Sequence, residues 1–157
     1  MKIREITVAD DAAVAKLVRD NLEKVGLDIP GTAYFDPGLD HLSAQYGTDT
    51  SRYYVMTEED GSVIGGIGFG AFAAVEGTAE LQKLYLDDAA KGRGLGYRLV
   101  SYVEEQMRKA GFTRSYLETH DKLPAAIHIY EKSGYREIPR PEEVGHSTMT
   151  RFFVKDL

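Results

Sequence analysis

Three glycines in alternation, Gly92, Gly94 and Gly96, sit beside three cations, Lys91, Arg93 and Arg98, and this stretch is the best equipped for chemistry in the chain. Glycines spaced this way let a backbone turn tightly and bring its N–H groups close to a ligand. From Leu95 the period changes: Leu95, Leu99, Val103 and Met107 recur every four residues, which marks one face of a helix. Before the loop, Leu81, Leu84 and Leu86 favour a buried strand, interrupted by the polar Glu80 and Gln82. A helix mouth carries unpaired N–H groups and the positive end of the helix dipole, so it attracts anions. The cations add charge of the same sign. The pattern predicts a site for phosphate.

Elimination narrows the ligand. A P-loop needs Lys-Ser/Thr after its last glycine, whereas Tyr97 and Arg98 follow Gly96. A dinucleotide fingerprint places its third glycine three residues after the second, and Leu95-Gly96 places it two after. No cysteine is present, which removes thiol nucleophiles, disulfides and cysteine metal sites. His41, His128 and His146 show no metal-ligand spacing, and no Gly-x-Ser-x-Gly occurs. A formal net charge of −6 argues against a general nucleic-acid binder, while leaving room for a local cationic site.

These residues must be positioned by a chain of 157 residues, a length that suits one domain, 1–157, burying roughly two-thirds of its unfolded surface. Lys2–Thr7 reads as a first strand, and Asp10 or Asp11 caps a helix with Val14, Leu17, Val18 and Leu22 on one face, ending near Gly26. Residues 26–38 hold two prolines and three glycines and read as loop, and Leu39–Tyr46 as a short helix. Arg52–Thr57 and Val63–Phe72 form a hairpin around Glu59-Asp60-Gly61-Ser62. Gly65, Gly66, Gly68 and Gly70 within its second strand predict bulging and close packing, with a ligand-facing role as the lesser alternative. Arg114–Thr119 is a strand, Pro124–Lys132 a helix stopped by Gly134, and Tyr135–Ile138 and Thr148–Val154 are closing strands. No signal-like start and no spanning apolar run are present, so the default expectation is a cytoplasmic protein.

Lys91-Gly92-Arg93-Gly94-Leu95-Gly96, following a strand and opening a helix, resembles the pyrophosphate loop Gln/Arg-x-x-Gly-x-Gly/Ala of the GCN5-related N-acetyltransferase (GNAT) superfamily. A second stretch, residues 124–135, resembles the late helix of that superfamily, with Ala126, Tyr130, Lys132 and Gly134 in place and Tyr135 at the aromatic position. Leu123 stands where Asn is frequent. The element order β-α-α-β-β-β-α-β-α-β-β is also the GNAT order. The resemblance implies an α/β fold of the mixed α+β kind, a central mixed sheet flanked by helices and splayed into a V-shaped gap between its fourth and fifth strands, with acetyl-CoA in the gap.

It further implies roles. Lys91, Gly92, Arg93, Gly94, Leu95, Gly96, Tyr97 and Arg98 would hold the cofactor's phosphates, and the backbone of Leu84, Tyr85 and Leu86 would pair with its pantetheine arm and polarise the thioester carbonyl. Tyr130 is the candidate acid for the departing thiolate, since a phenol with a pKa of about 10 is protonated at neutral pH. An alkylammonium with a pKa of about 10.4 must lose a proton before it attacks. Glu80 is the candidate base, directly or through water, against a plainer reading as a strand-end carboxylate. His120 is a weaker alternative base. By analogy the acceptor pocket is lined by residues 26–46 and 139–147, with Tyr34, Phe35, Asp36, Tyr46, Arg140, Glu142, Glu143 and His146. The expected activity is acetylation of a primary amine of a small molecule. A protein N-terminus or lysine as acceptor, or a non-catalytic acyl-CoA sensor, is the alternative. No nucleic-acid or membrane partner is expected, and a homodimer is compatible with the family's habit.

Overall fold

Alternation along Arg52–Thr57 sets the architecture. Tyr53 and Val55 join one apolar cluster, Tyr54 and Met56 another, and all four are buried, so the sheet to which they belong is covered on both faces. The computed structural model describes residues 1–145 and 147–157. Its strands are β1 (Lys2–Glu5), β2 (Arg52–Thr57), β3 (Val63–Ala71), β4 (Thr78–Leu86), β5 (Arg114–Thr119), β6 (Arg136–Ile138) and β7 (Arg151–Asp156). Its helices are α1 (Asp11–Lys24), α2 (Leu42–Gln45), α3 (Leu95–Lys109) and α4 (Pro124–Lys132). The strands form one sheet in the order β1-β2-β3-β4-β5-β7-β6, antiparallel throughout except for the parallel pair β4–β5.

Val14, Val18 and Leu22 of α1 and Leu42 of α2 pack on the Tyr53 face. Leu95, Leu99, Val103 and Met107, the predicted stripe of α3, are all buried on the other face, together with Ile127 and Tyr130 of α4. Full burial of each such aliphatic side chain contributes about 1.5–3 kcal/mol. The expected mixed sheet with flanking helices is therefore present.

Two irregularities distinguish β4. The register with β3 passes from Gly68↔Gln82 to Gly66↔Tyr85, so Lys83 and Leu84 stand opposite the single residue Ile67, a β-bulge. Lys83 takes φ +51, the only positive φ of a non-glycine residue among the described residues. On its other edge β4 pairs with β5 only over Thr78–Glu80, opposite Arg114–Tyr116, while β5 stays paired with β7 along its whole length. The sheet therefore opens between β4 and β5.

Several boundaries differ from the sequence reading. β1 stops at Glu5 because Thr7 turns the chain, its N–H donating to Asp10 Oδ2 at 2.8 Å. The expected helix Leu39–Tyr46 divides into a 3-10 turn at Leu39–His41 and the short α2. β7 begins at Arg151 rather than Thr148, because Ser147, Thr148 and Met149 bond Glu118, Gly31 and Arg140 instead of a neighbouring strand.

Candidate active site

Beyond Glu80, the β5-facing edge of β4 has no strand partner, and a cavity of about 830 Å³ occupies the opening. Leu84, Tyr85 and Leu86 line it along β4, and Glu80 lines it at the far end of that strand. At the mouth of α3, Lys91, Gly92, Gly94, Leu95, Gly96 and Tyr97 line it, and α4 contributes Tyr130. Folding thus gathers most of the predicted site around one space. Arg93 and Arg98 are not in its wall: the Arg93 guanidinium donates to Glu58 Oε1 at 3.0 Å, and Arg98 is exposed on α3.

The three loop glycines have two different reasons. Gly92 and Gly94 take φ +75 and +72, a left-handed conformation, and a Cβ on either would meet no atom within 4 Å. They serve the turn that aims the α3 N-terminus into the cavity. Gly96 is helical, and a Cβ there would lie 2.6 Å from Ile129 Cδ1, so this glycine lets α4 close against α3. Charge at this end comes from Lys91 and from Lys24, the last residue of α1, both lining the cavity. Both hold Asp88, and their hydrogen bonds, Lys24's first, pull its carboxyl down to about 2. The N-terminus of α3 and the two lysines could hold an anion, and the unpaired edge of β4 could take an extended ligand arm. Among the described residues, these features fit a long donor that ends in phosphate.

The other end is acidic. Glu80 Oε1 accepts from Gln82 Nε2 at 2.9 Å, and Gln82 Oε1 accepts from the Tyr46 hydroxyl at 2.6 Å. Across the gap, Glu118 accepts from the Tyr116 hydroxyl at 3.0 Å and from Ser147 Oγ at 2.9 Å. Burial pushes the Glu80 carboxyl above its ordinary value; the bond from Gln82 opposes this, and the charge of Glu118 adds to it. Tyr130 is only 5% exposed, and burial holds its hydroxyl far above the ordinary phenol value, so it is protonated at neutral pH.

The expected acceptor loops reach this end, with a different cast. Asp36 lines the cavity and sits 3.4 Å from Lys83 Nζ, and Ser147 and Met149 line it from the second loop. Tyr34 donates instead to Glu23, Phe35 is exposed, and Glu142 and Glu143 face solvent. Arg140 ties the loop together by donating to the carbonyls of Val144, Ser147 and Met149 while stacking on Phe152. Thr148 Oγ1 donates to Gly31 O at 2.6 Å, joining the two loops. His120 Nδ1 accepts from Lys122 N at 3.1 Å, a turn contact. His146 lies outside the described residues. Sequence reasoning overlooked Lys24 and Glu118. Lys24 reads as an ordinary helix-terminal cation, whereas Glu118, a charge inside a strand flanked by the buried Leu117 and Thr119, carried a signal that alternation alone did not interpret.

A sheet wedged open beside its parallel pair, with lysines at one end of the wedge and carboxylates at the other, suits an elongated anionic ligand. The acetyltransferase (GNAT) family profile matches residues 19–135. YjgM of Escherichia coli K12, an uncharacterized N-acetyltransferase, is 37% identical over 138 residues, covering 87% of this chain and 82% of the relative. An acetyltransferase of the GNAT family from Staphylococcus aureus Mu50 superposes with a TM-score of 0.86 at 18% identity, covering 99% of this chain and 98% of that one. A phosphinothricin acetyltransferase from Sinorhizobium meliloti, solved in complex with acetyl-CoA, superposes at 0.77 with 23% identity, covering 99% and 88%. The chain belongs to the GNAT acetyltransferase family. No helix among the described residues is long and apolar enough to cross a membrane.

Proposed function

We propose that this N-acetyltransferase moves the acetyl group of acetyl-CoA to a primary amine of a small molecule, such as an amino acid or related metabolite, by direct attack in a ternary complex. The small-molecule reading is carried by the strap over the acceptor end of the cavity, where Thr148 bonds Gly31 O at 2.6 Å and Ser147 bonds Glu118 at 2.9 Å. A polypeptide tail needs an open groove at that point.

The donor supplies an activated thioester. In this reading Lys24, Lys91 and the N–H groups around Gly92–Gly96 hold its phosphates. The free edge of β4 takes its arm, and a backbone N–H near Leu84–Leu86 polarises the thioester carbonyl. Glu80 and Glu118 draw an ammonium group to the acidic end. Glu80 takes the ammonium proton, directly or through water, and its raised pKa brings it closer to the working pH of a base. As the N–C bond forms and the C–S bond breaks, Tyr130 gives its proton to the departing sulfur, and the acylated nitrogen gives up its second proton through water, which restores the Tyr130 phenol.

The test is release of free thiol from acetyl-CoA across a panel of amines, amino acids and short peptides. The protein contributes no thiol, since it has no cysteine. Release with one class of small amine is the expected result. Silence with small amines alongside acetylation of peptides or proteins would overturn the small-molecule reading, and silence with everything while acetyl-CoA still binds would favour a sensor.

A further inference from the structure

Two glycines of β3, Gly66 and Gly68, are absorbed by no step above, yet both lie against a single side chain. A Cβ on Gly66 would lie 2.5 Å from the Tyr53 hydroxyl oxygen, and one on Gly68 would lie 2.6 Å from Tyr53 Cδ2. The Tyr53 ring therefore lies across a bed cleared for it, fully buried. From there its hydroxyl donates to the carbonyl of Lys83 at 2.9 Å, the bulge residue with φ +51. The ring of Tyr46 packs on Tyr53 with centroids 5.5 Å apart, and the Tyr46 hydroxyl holds Gln82, which in turn bonds Glu80. A Cβ on Gly70, next along the same face of β3, would lie 3.3 Å from Gln82 Nε2.

We infer that Tyr53 and Tyr46 are positioning residues forming a two-point clamp on β4, in which Tyr53 sets the bulge that presents the strand's backbone to the acetyl donor and Tyr46, through Gln82, sets the Glu80 carboxylate. The inference rests on the proposed roles of β4 and Glu80. Two tyrosines packed in one apolar layer thus reach the two halves of the reaction separately. Tyr53 acts on the donor side and Tyr46 on the acceptor side.

This separation makes the clamp testable. Glu80 is faced by Gln82 and Lys83 on its own strand, by Glu118 and Tyr116 on β5, and by Tyr46 through Gln82, with Asp36 and Tyr85 also near Tyr46. Of these, the hydrogen bond from Gln82 is the larger contact holding the carboxyl down. Tyr46→Phe frees the Gln82 amide to rotate and weakens that bond. The acid limb of the pH profile of kcat/KM for the acceptor then moves to higher pH, while the acetyl-CoA dissociation constant measured by calorimetry stays within about twofold, because the backbone bulge is intact. Tyr53→Phe does the reverse: it weakens acetyl-CoA binding by roughly five- to tenfold, the equivalent of one hydrogen bond, and leaves the acid limb in place. A merely structural role would lower both activities in step with the melting midpoint and move no limb.

Glu80→Gln is the control. If it abolishes the acid limb while Tyr46→Phe leaves that limb unmoved, the acceptor half of the clamp is wrong. If Glu80→Gln leaves the limb in place, the assignment of Glu80 as base fails and that half falls with it, while the donor half is still decided by calorimetry. Unchanged acetyl-CoA affinity in folded Tyr53→Phe overturns the donor half. Should Tyr53→Phe fail to fold, acetyl-CoA affinity in Gly66→Ala, whose methyl group displaces the Tyr53 hydroxyl, decides the donor half: a weakened affinity supports it and an unchanged one overturns it.

Discussion

At the scale of residues, the candidate site separates its tasks by environment. Glu80 is a half-buried carboxyl whose charge is disfavoured by desolvation and by Glu118, so its pKa is raised in the folded chain. A raised carboxyl pKa means that the native state holds the proton more tightly than the unfolded state, so the charged form present at neutral pH costs stability. Glu80→Gln is therefore expected to raise the melting midpoint at pH 7 and to lower kcat roughly a hundredfold, the size of a lost general base. This gain in stability vanishes below the carboxyl's ordinary range, where Glu80 is protonated in both states. A melting midpoint that falls at pH 7 would contradict the assignment. Tyr130→Phe is expected to lower kcat about tenfold with the acetyl-CoA dissociation constant unchanged within about twofold, since CoA thiolate is a tolerable leaving group. At the anion end, Lys24 lines the cavity and Arg93 bonds Glu58. Calorimetry should show Lys24→Ala weakening acetyl-CoA several-fold, more so at low salt, and Arg93→Ala changing it by less than about twofold.

At the scale of elements, β4 explains most of the geometry. Its bulge at Lys83 and Leu84, and its short ladder to β5, turn a continuous sheet into one with a gap. The bulge depends on β3 having no side chains where the Tyr53 ring lies. Gly66→Ala puts a methyl group 2.5 Å from the Tyr53 hydroxyl oxygen, and a ring buried on all sides has little room to yield. Thermal or denaturant unfolding should record a loss of about 1–3 kcal/mol, the usual cost of overpacking a close-packed interior. Glycines at the mouth of α3 behave otherwise. Gly94 is held by its φ of +72, whereas Gly96 is held by the neighbouring Ile129.

At the scale of the whole molecule, two long loops from opposite halves of the chain meet beside the acidic end of the cavity. Gly31 and Thr148 are 117 residues apart in sequence and share one hydrogen bond. Thr148→Val keeps the side chain's shape and removes the donor. It is expected to raise KM for the small amine several-fold, to admit bulkier amines, and to leave acetyl-CoA affinity untouched, because the donor end lies elsewhere in the cavity. Steady-state kinetics with a graded series of amines would check this, and an unchanged size preference would remove the strap as a gate.

Local pattern alone determined a good deal of this protein. The stripe Leu95–Leu99–Val103–Met107, the strands Arg52–Thr57 and Arg114–Thr119 and the helix Pro124–Lys132 all stand where periodicity and punctuation put them, because each depends on contacts a few residues away. The glycine loop was recognisable for the same reason: an anion site at a helix mouth is made by consecutive residues. The rest depends on contacts across the sheet. The pairing of Lys24 with Asp88, the turning of Arg93 toward Glu58, the facing of Glu80 and Glu118 across the gap and the bed of glycines under Tyr53 each join residues from different elements. Periodicity reports which face a residue occupies and carries no record of its neighbours across the sheet. Those neighbours set charge, burial and hydrogen bonding, and through them the chemistry of the site.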